Sequence, residues 1–178
     1  MGEIIIMPYT TRDGIPTFRT SEIIKLYNKA FLEGWGDTLF SSGELNSPER
    51  FHKYVTSSHI LFYGIFYGSD LVGFFWLNRI EQTSAYIHTG FFKQWQGTDI
   101  TIRSGRIALA MLLKGSDDYK PLFDLILTLP PVSNKRAIKY AEKIGFKRVG
   151  EIPHRLWDKK KNKSVPGVLL RCTREDLK

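Results

Sequence analysis

Over residues 21–31 apolar side chains recur at helical spacing after Ser21, which can cap the first turn. The spacing predicts a helix there. A second helix is predicted after Ser47, where Pro48 suits a first helical position and Phe51, Tyr54 and Val55 share a face, and the Gly34-Trp35-Gly36 corner separates the two. From Ile60 the period changes. Residues 60–67 and 71–77 are rich in aromatic and β-branched side chains and flank a Gly-Ser-Asp turn, the pattern of a β-hairpin. A third strand is predicted from about Ser84 to Phe92. Helical character returns over 100–113, where Ile102, Ile107, Leu109, Ala110 and Leu113 can form a buried face. Residues 123–129 make a short, nearly all-apolar run stopped by Pro130-Pro131, as in a central strand covered on both sides. Ser133 or Asn134 can cap a helix over 137–143 that stops at Gly145, and strands near 147–157 and 167–172 flank a lysine-rich turn. The order β-α-α-β-β-β-α-β-α-β-β predicts an α/β fold, a mixed sheet with helices on both faces.

Composition bounds this picture. With 178 residues, 42% hydrophobic and 25% charged, and no repeat, low-complexity tract or long linker, the chain reads as a single domain over 1–178. The single cysteine, Cys172, excludes an intramolecular disulfide framework and reads as core at the end of a strand. The first residues lack the basic start and long apolar stretch of a secretory signal, so a reducing cytoplasm is the expected setting. The aromatic stretch 59–77 is cut by Gly64, Gly68, Ser69, Asp70 and Gly73, so no run approaches the roughly 18 residues that span a bilayer. No membrane association is expected. The net charge of +8 calls for an anionic partner, nucleic acid or a polyphosphate cofactor, although Lys159, Lys160, Lys161 and Lys163 also fit a solvated hairpin turn. Histidines at 52, 59, 88 and 154 show no metal-site spacing, and there is neither a Gly-x-Ser-x-Gly elbow nor a Gly-rich Lys-Ser/Thr loop.

The most specific stretch is Ser133-Asn134-Lys135-Arg136-Ala137-Ile138-Lys139-Tyr140-Ala141-Glu142-Lys143-Ile144-Gly145-Phe146, followed by Lys147-Arg148-Val149-Gly150-Glu151. It resembles the Asn, short helix, Glu-Lys-hydrophobic-Gly-Phe and strand pattern of the GNAT N-acetyltransferase superfamily. Gln94-Trp95-Gln96-Gly97-Thr98-Asp99, between a strand and a helix, is similar to that superfamily's Gln/Arg-x-x-Gly-x-Gly/Ala cofactor loop, with Asp99 departing from it at the last position. Asp99 also suits a helix N-cap. The order of segments from Leu71 to the end matches the superfamily, and Thr173-Arg174-Glu175-Asp176-Leu177 is similar to its branch that acetylates ribosomal-protein N-termini.

The resemblance implies an enzyme that transfers an acetyl group from acetyl-coenzyme A to a primary amine by direct attack. It implies cofactor contacts from Phe91, Phe92, Gln94, Trp95, Gln96, Gly97, Thr98, Asp99 and Asn134, through amides that face an anion at a helix N-terminus. It also implies an oxyanion donor in a backbone N–H near Phe91. A lysine amine, with pKa near 10.4, is neutral only about once in 10³ at pH 7, whereas an α-amino group near 7.8 is neutral about one time in ten, so a lysine-like acceptor needs a base more. His88, on the strand leading into the loop, is the candidate base, with an expected rise in rate through roughly pH 6 to 7.5; Glu33 and Glu44 are further candidates. The superfamily's thiolate-protonating tyrosine falls at Ala141, and Tyr140, about 100° away on the helix, is the nearest candidate acid. Two alternatives stand beside the enzyme. One is a non-catalytic module of the same fold that binds acyl-coenzyme A or nucleic acid. The other is an interaction protein that exposes Phe74, Phe75, Trp76 and Trp95 and forms a stable oligomer, whereas a homodimer is among the partners expected of the enzyme.

Overall fold

The computed structural model describes residues 2–115 and 119–177. Strand β1 (Ile4–Pro8) is followed by a small hairpin, β2 (Thr11–Arg12) and β3 (Ile15–Pro16), and by the helices α1 (Thr20–Leu32), α2 (Gly36–Leu39) and α3 (Pro48–Val55). An antiparallel meander, β4 (Leu61–Tyr67), β5 (Asp70–Asn78) and β6 (Ser84–Phe91), leads into α4 (Asp99–Leu113). Strand β7 (Leu125–Thr128), helix α5 (Lys135–Ile144), the hairpin β8 (Lys147–Asp158) and β9 (Lys163–Thr173), and a 3₁₀ turn over Arg174–Asp176 complete the chain. The predicted order holds, with the β2–β3 hairpin and α2 added. Elements of two to four residues carry no period to read. Ser47 caps α3 as expected, its hydroxyl accepting the Arg50 N–H, and Asn134 caps α5. Ser21 does not cap α1: Arg19 holds the N-cap position, and the Glu22 carboxylate accepts its backbone N–H at 2.6 Å.

The seven-stranded sheet runs β1-β4-β5-β6-β7-β9-β8, and every pair is antiparallel except β6–β7. Alternation along β4 to β6 sends side chains into two layers. Ile65, Phe75, Leu77, Ala85 and Ile87 pack under α4 and α5 against Leu109, Leu112, Ile138 and Ile144. Phe62, Phe74 and Trp76 pack on the other face, under α1 to α3, against Ile23, Ala30, Phe51 and Val55. Phe74, Phe75 and Trp76 are thus core, which removes three of the four residues on which the exposed-aromatic alternative rests. Cys172 is core as predicted, and burial, with the Asp176 charge, pushes its thiol up to about 12.

The β8–β9 hairpin is longer than its sequence pattern predicts, and its lysine-rich tip is an exposed turn as expected, with three contacts that tie it down. Lys160 pairs with Asp37 at 2.7 Å, Lys161 with Asp158 at 3.2 Å, and the Lys159 N–H donates to the Ser41 carbonyl at 3.0 Å. The hairpin tip therefore rests on the segment between α2 and α3. Among the described residues, no helix is long and apolar enough to cross a membrane, and no cluster of three metal-ligating side chains occurs.

Candidate active site

The parallel pair β6–β7 is short because of Pro130-Pro131. It runs only from Ser84 opposite Leu125 to Tyr86 opposite Leu127, and the Thr128 hydroxyl then donates to the Ile87 carbonyl at 3.2 Å. Neither proline has an N–H to offer β6. The chain turns instead toward β9, where the Pro130 carbonyl accepts the Val168 N–H at 2.9 Å. A gap opens beside the second half of β6. Gly90 lies opposite Phe74 and the Phe92 N–H donates to the Val72 carbonyl at 3.0 Å, so the even-numbered residues bond to β5. Residues 87, 89 and 91 must then turn their backbone groups to the gap. The Phe91 carbonyl is taken by Gln96 Nε2 at 2.8 Å. The N–H groups of Thr89 and Phe91 face the opening.

Above the gap, between α4 and α5, lies a mainly apolar cavity of about 80 Å³ whose walls include Ile87, Thr89, Gly105, Thr128, Tyr140 and Ala141. Glycine at 105 is required here: a Cβ would collide with the Tyr140 hydroxyl, so the two helices could not approach this closely. Tyr140 sets its ring edge-on to Phe91 at 5.3 Å and donates its hydroxyl to the Thr101 carbonyl at 3.2 Å. Burial raises its pKa well above a phenol's ordinary value. A proton already committed to a carbonyl, on so weak an acid, is poorly placed to reach a thiolate of pKa near 8.5. This corrects the acid role expected of Tyr140. The residue does reach the cavity, alongside Ala141.

Beyond β6 the chain makes a tight loop. Trp95 donates its N–H to the Phe92 carbonyl at 2.9 Å, and Thr98 returns both its N–H (3.1 Å) and its hydroxyl (2.7 Å) to the Trp95 carbonyl. Gly97 holds φ at +80°, a left-handed conformation that side chains resist, although a Cβ there would meet no neighbour. Thr98, not Asp99, is the N-cap of α4, and with its hydroxyl spent upstream it leaves the first amides of the helix without a side-chain cap. Asp99 is the first helical residue and is exposed. Gln94, Gln96 and Gly97 are exposed in the same loop, while Trp95 is half-buried against Tyr67. Phe92 is not available as a contact. Its ring is fully buried beneath α1, with the Lys29 ammonium 4.9 Å from its centroid, and both its backbone groups are bonded. Asn134 is half-buried at the start of α5, its Oδ1 accepting the Ala137 N–H at 3.1 Å.

His88 points the other way. One residue before Thr89, it faces the α1–α3 layer and lines an open cleft of about 500 Å³ together with Trp76, Asn78, Tyr54, Glu44, Arg50 and Lys53. Its ring stacks on Trp76 at 4.9 Å and 8°, and its Nε2 lies 3.1 Å from Asn78 Oδ1. The Asn78 amide also donates to the Tyr54 hydroxyl at 2.8 Å. With Nδ2 so engaged, Oδ1 is the acceptor, the neutral imidazole carries its proton on Nε2, and Nδ1 holds the lone pair. Burial, helped by the Arg79 charge, lowers the His88 pKa to about 4. That shift places the titration of His88 below the rate limb expected at pH 6 to 7.5.

The Glu33 carboxylate is fully engaged in local bonds. Its carboxylate accepts the Trp35 indole N–H (2.8 Å) and the Lys93 N–H (2.7 Å) and pairs with Lys29 (2.9 Å). Burial opposes ionisation, but these bonds outweigh it and lower the pKa. Glu33 is a strut that ties α1 to the loop after β6. Glu44 is exposed at the cleft rim. Sequence reasoning missed Asn78, Tyr54, Thr89, Thr128 and Gly105. Asn78 was within reach: in a β5–β6 hairpin with His88 opposite Trp76, it is the diagonal neighbour.

No protein-family model matches the chain, and no curated protein matches it in sequence. Solved structures do. Ribosomal-protein-S5-alanine acetyltransferase from Vibrio fischeri is similar with a TM-score of 0.68 at 13% identity, over 90% of this chain and 92% of that one. Spermidine N-acetyltransferase from Vibrio cholerae, in complex with CoA and spermine, is similar with a TM-score of 0.66 at 15% identity, over 97% of each chain. The chain shares the fold of these two acetyltransferases.

Proposed function

We propose that the chain is an acetyl-coenzyme A dependent N-acetyltransferase in which a primary amine attacks the acyl group directly. One observation carries the reading: consecutive residues of β6 face two different cavities, Thr89 the gap under α4 and His88 the cleft under α1 to α3. A donor and an acceptor held on opposite sides of one strand can meet at its edge without sharing a pocket.

The residues on the α4 side fit the cofactor. Uncapped amides at the start of a 15-residue helix favour a pyrophosphate, and the apolar cavity beside the gap suits an uncharged arm. Gln94, Trp95, Gln96, Gly97, Thr98 and Asp99 would hold it through the loop backbone, with the Asp99 charge weakening the hold. Asn134 would act by keeping the start of α5 in place. When bound, acetyl-coenzyme A supplies an acetyl group activated as a thioester. The Phe91 N–H, unspent in the β6–β5 ladder, is the donor we assign to the developing oxyanion.

His88 is proposed to accept the amine proton at Nδ1. A base with a pKa of about 4 cannot strip an ammonium of pKa near 10, so the amine must arrive neutral and shed its proton after attack. That condition favours an acceptor of low pKa, such as an α-amino group, over a lysine side chain. Release of free thiol from acetyl-coenzyme A, followed with a panel of amines, tests the reading. Binding of the cofactor with no release on any amine would replace it with the non-catalytic module.

A further inference from the structure

The walls of the α1–α3 cleft are rich in donors and poor in acceptors. Arg50 and Lys53 stand one turn apart on α3, and among the described residues neither forms a salt bridge. Tyr54 receives its hydrogen bond from Asn78, which leaves its own hydroxyl proton free to donate. Against these donors the cleft offers one carboxylate, Glu44. Arg50 and Lys53 are exposed at the cleft and Tyr54 is half-buried, so the cleft favours an occupant whose anionic oxygens make charge-assisted bonds to the two cations.

We infer that the amine taken in this cleft also carries an anionic group, a carboxylate or a phosphate, which Arg50 and Lys53 hold. The inference rests on the acetyl-transfer reading for the word acceptor, but the anion preference itself is a property of the cleft. The same two cations serve the chemistry in a second way. Positive neighbours disfavour a bound ammonium, so they help deliver the neutral amine that the weakly basic His88 requires. A polyamine is the opposite case, because its several positive charges would meet Arg50, Lys53 and Arg79 with Glu44 as the only carboxylate in the wall. The cleft volume of about 500 Å³ lies in the range of small-molecule sites. A small amine, rather than a long protein segment, is the occupant we assign.

Two matched pairs of probes and a polycation test this. Glucosamine 6-phosphate against glucosamine isolates a phosphate; alanine against alaninamide isolates a carboxylate once kcat/KM is expressed per neutral amine, because the carboxylate raises the amine pKa; spermidine is the polycation. Each is measured for kcat/KM by thiol release and for direct binding by calorimetry, with the full chain and with an Arg50→Ala, Lys53→Ala double variant whose thermal unfolding is checked first. The expected result is at least a roughly tenfold preference for the anionic member of one pair, as suits a charge-assisted contact, collapsing to within about twofold in the double variant. Which pair shows it identifies the anion. A single Arg50→Gln variant, which keeps most of the side-chain volume, should lose part of the same preference if the double variant fails to fold. A preference near one in the native chain, a preference the variants do not change, or spermidine exceeding both anionic probes would overturn the inference. If calorimetry keeps the preference while no amine releases thiol, the acetyl-transfer reading falls and the anion site stands. Turnover without any preference sinks the anion site alone.

Discussion

Acidification should act on this protein in part through one half-buried ring, that of His88. His88 is neutral in the folded chain down to about pH 4, whereas in the unfolded chain it titrates near the ordinary 6.5. Between those values the unfolded state binds the extra proton, so stability is fully present above about pH 6.5 and is lost as the pH falls toward 4. A pKa held at about 4 instead of 6.5 corresponds to roughly 3 kcal/mol in full, of which about 2.5 kcal/mol should already be gone at pH 4.5. A typical domain of this size has only about 5–15 kcal/mol in total, so the loss is measurable. Urea unfolding of the native chain and of His88→Gln at pH 7.5, 6.5, 5.5 and 4.5 isolates the contribution, since glutamine does not titrate and every other group cancels in the difference. The native chain should lose about 2.5 kcal/mol relative to the variant across that range. Parallel curves would mean that His88 keeps an ordinary pKa in the fold. The same ring fixes a kinetic expectation: the ascending limb of the pH–rate profile should follow the pKa of the acceptor amine, and it should move when the acceptor is changed. A limb that stays between pH 6 and 7.5 for every acceptor would restore His88 as an ordinary base.

Gly97→Val should raise the dissociation constant for acetyl-coenzyme A at least about tenfold in a folded chain, through the roughly 1–2 kcal/mol or more of strain at φ +80° rather than through crowding; calorimetry reads it. Phe92→Ala should cost about 3–5 kcal/mol of stability by denaturant unfolding, as a core ring does, and any fraction that remains folded should bind the cofactor normally. Glu33→Gln removes the ion pair with Lys29 while keeping an oxygen for the Lys93 N–H, so a small drop in melting temperature with kcat within about threefold is expected, whereas Glu33→Ala frees the loop and should lower kcat about tenfold or more. Equal kcat values for the two variants would refute the strut.

Much of the fold was legible because its long elements have clean periods. The β4–β5 hairpin, the capped α5 and the apolar run before Pro130-Pro131 each combine a pattern with a boundary residue, and each forms where the pattern puts it. The errors fall where several residues could do one job. Ser21 and Asp99 were both able to cap a helix, yet Glu22 closes the first turn of α1 from inside, and Thr98 takes the cap of α4 one residue earlier than the aspartate suggested. Phe92 and Phe91 could not be ranked by sequence, because which of two adjacent phenylalanines enters the core depends on the register with β5 and not on either side chain. The same holds for His88. Its position on the right strand was readable, but its burial against Trp76 and its bond to Asn78 are cross-strand facts, and they alone move its pKa.

The register of β6 is thus both what the sequence hid and what the proposed chemistry depends on. A strand has two faces and two edges, and near its end β6 uses all four: Phe92 and Gly90 bond to β5, the Thr89 and Phe91 amides face the gap, Thr89 meets the α4 cavity, and His88 meets the cleft. A slip of one residue would exchange every assignment, burying an amide donor and turning the histidine into the apolar cavity. Three features hold the register beyond the ladder itself: Gln96 on the Phe91 carbonyl, Thr128 on the Ile87 carbonyl, and Glu33 on the Lys93 N–H. They come from the loop, from β7 and from α1. The gap exists because two prolines have no N–H to offer β6 and pair with β9 instead, and it stays usable because contacts from three directions keep the exposed edge of β6 from shifting to fill it.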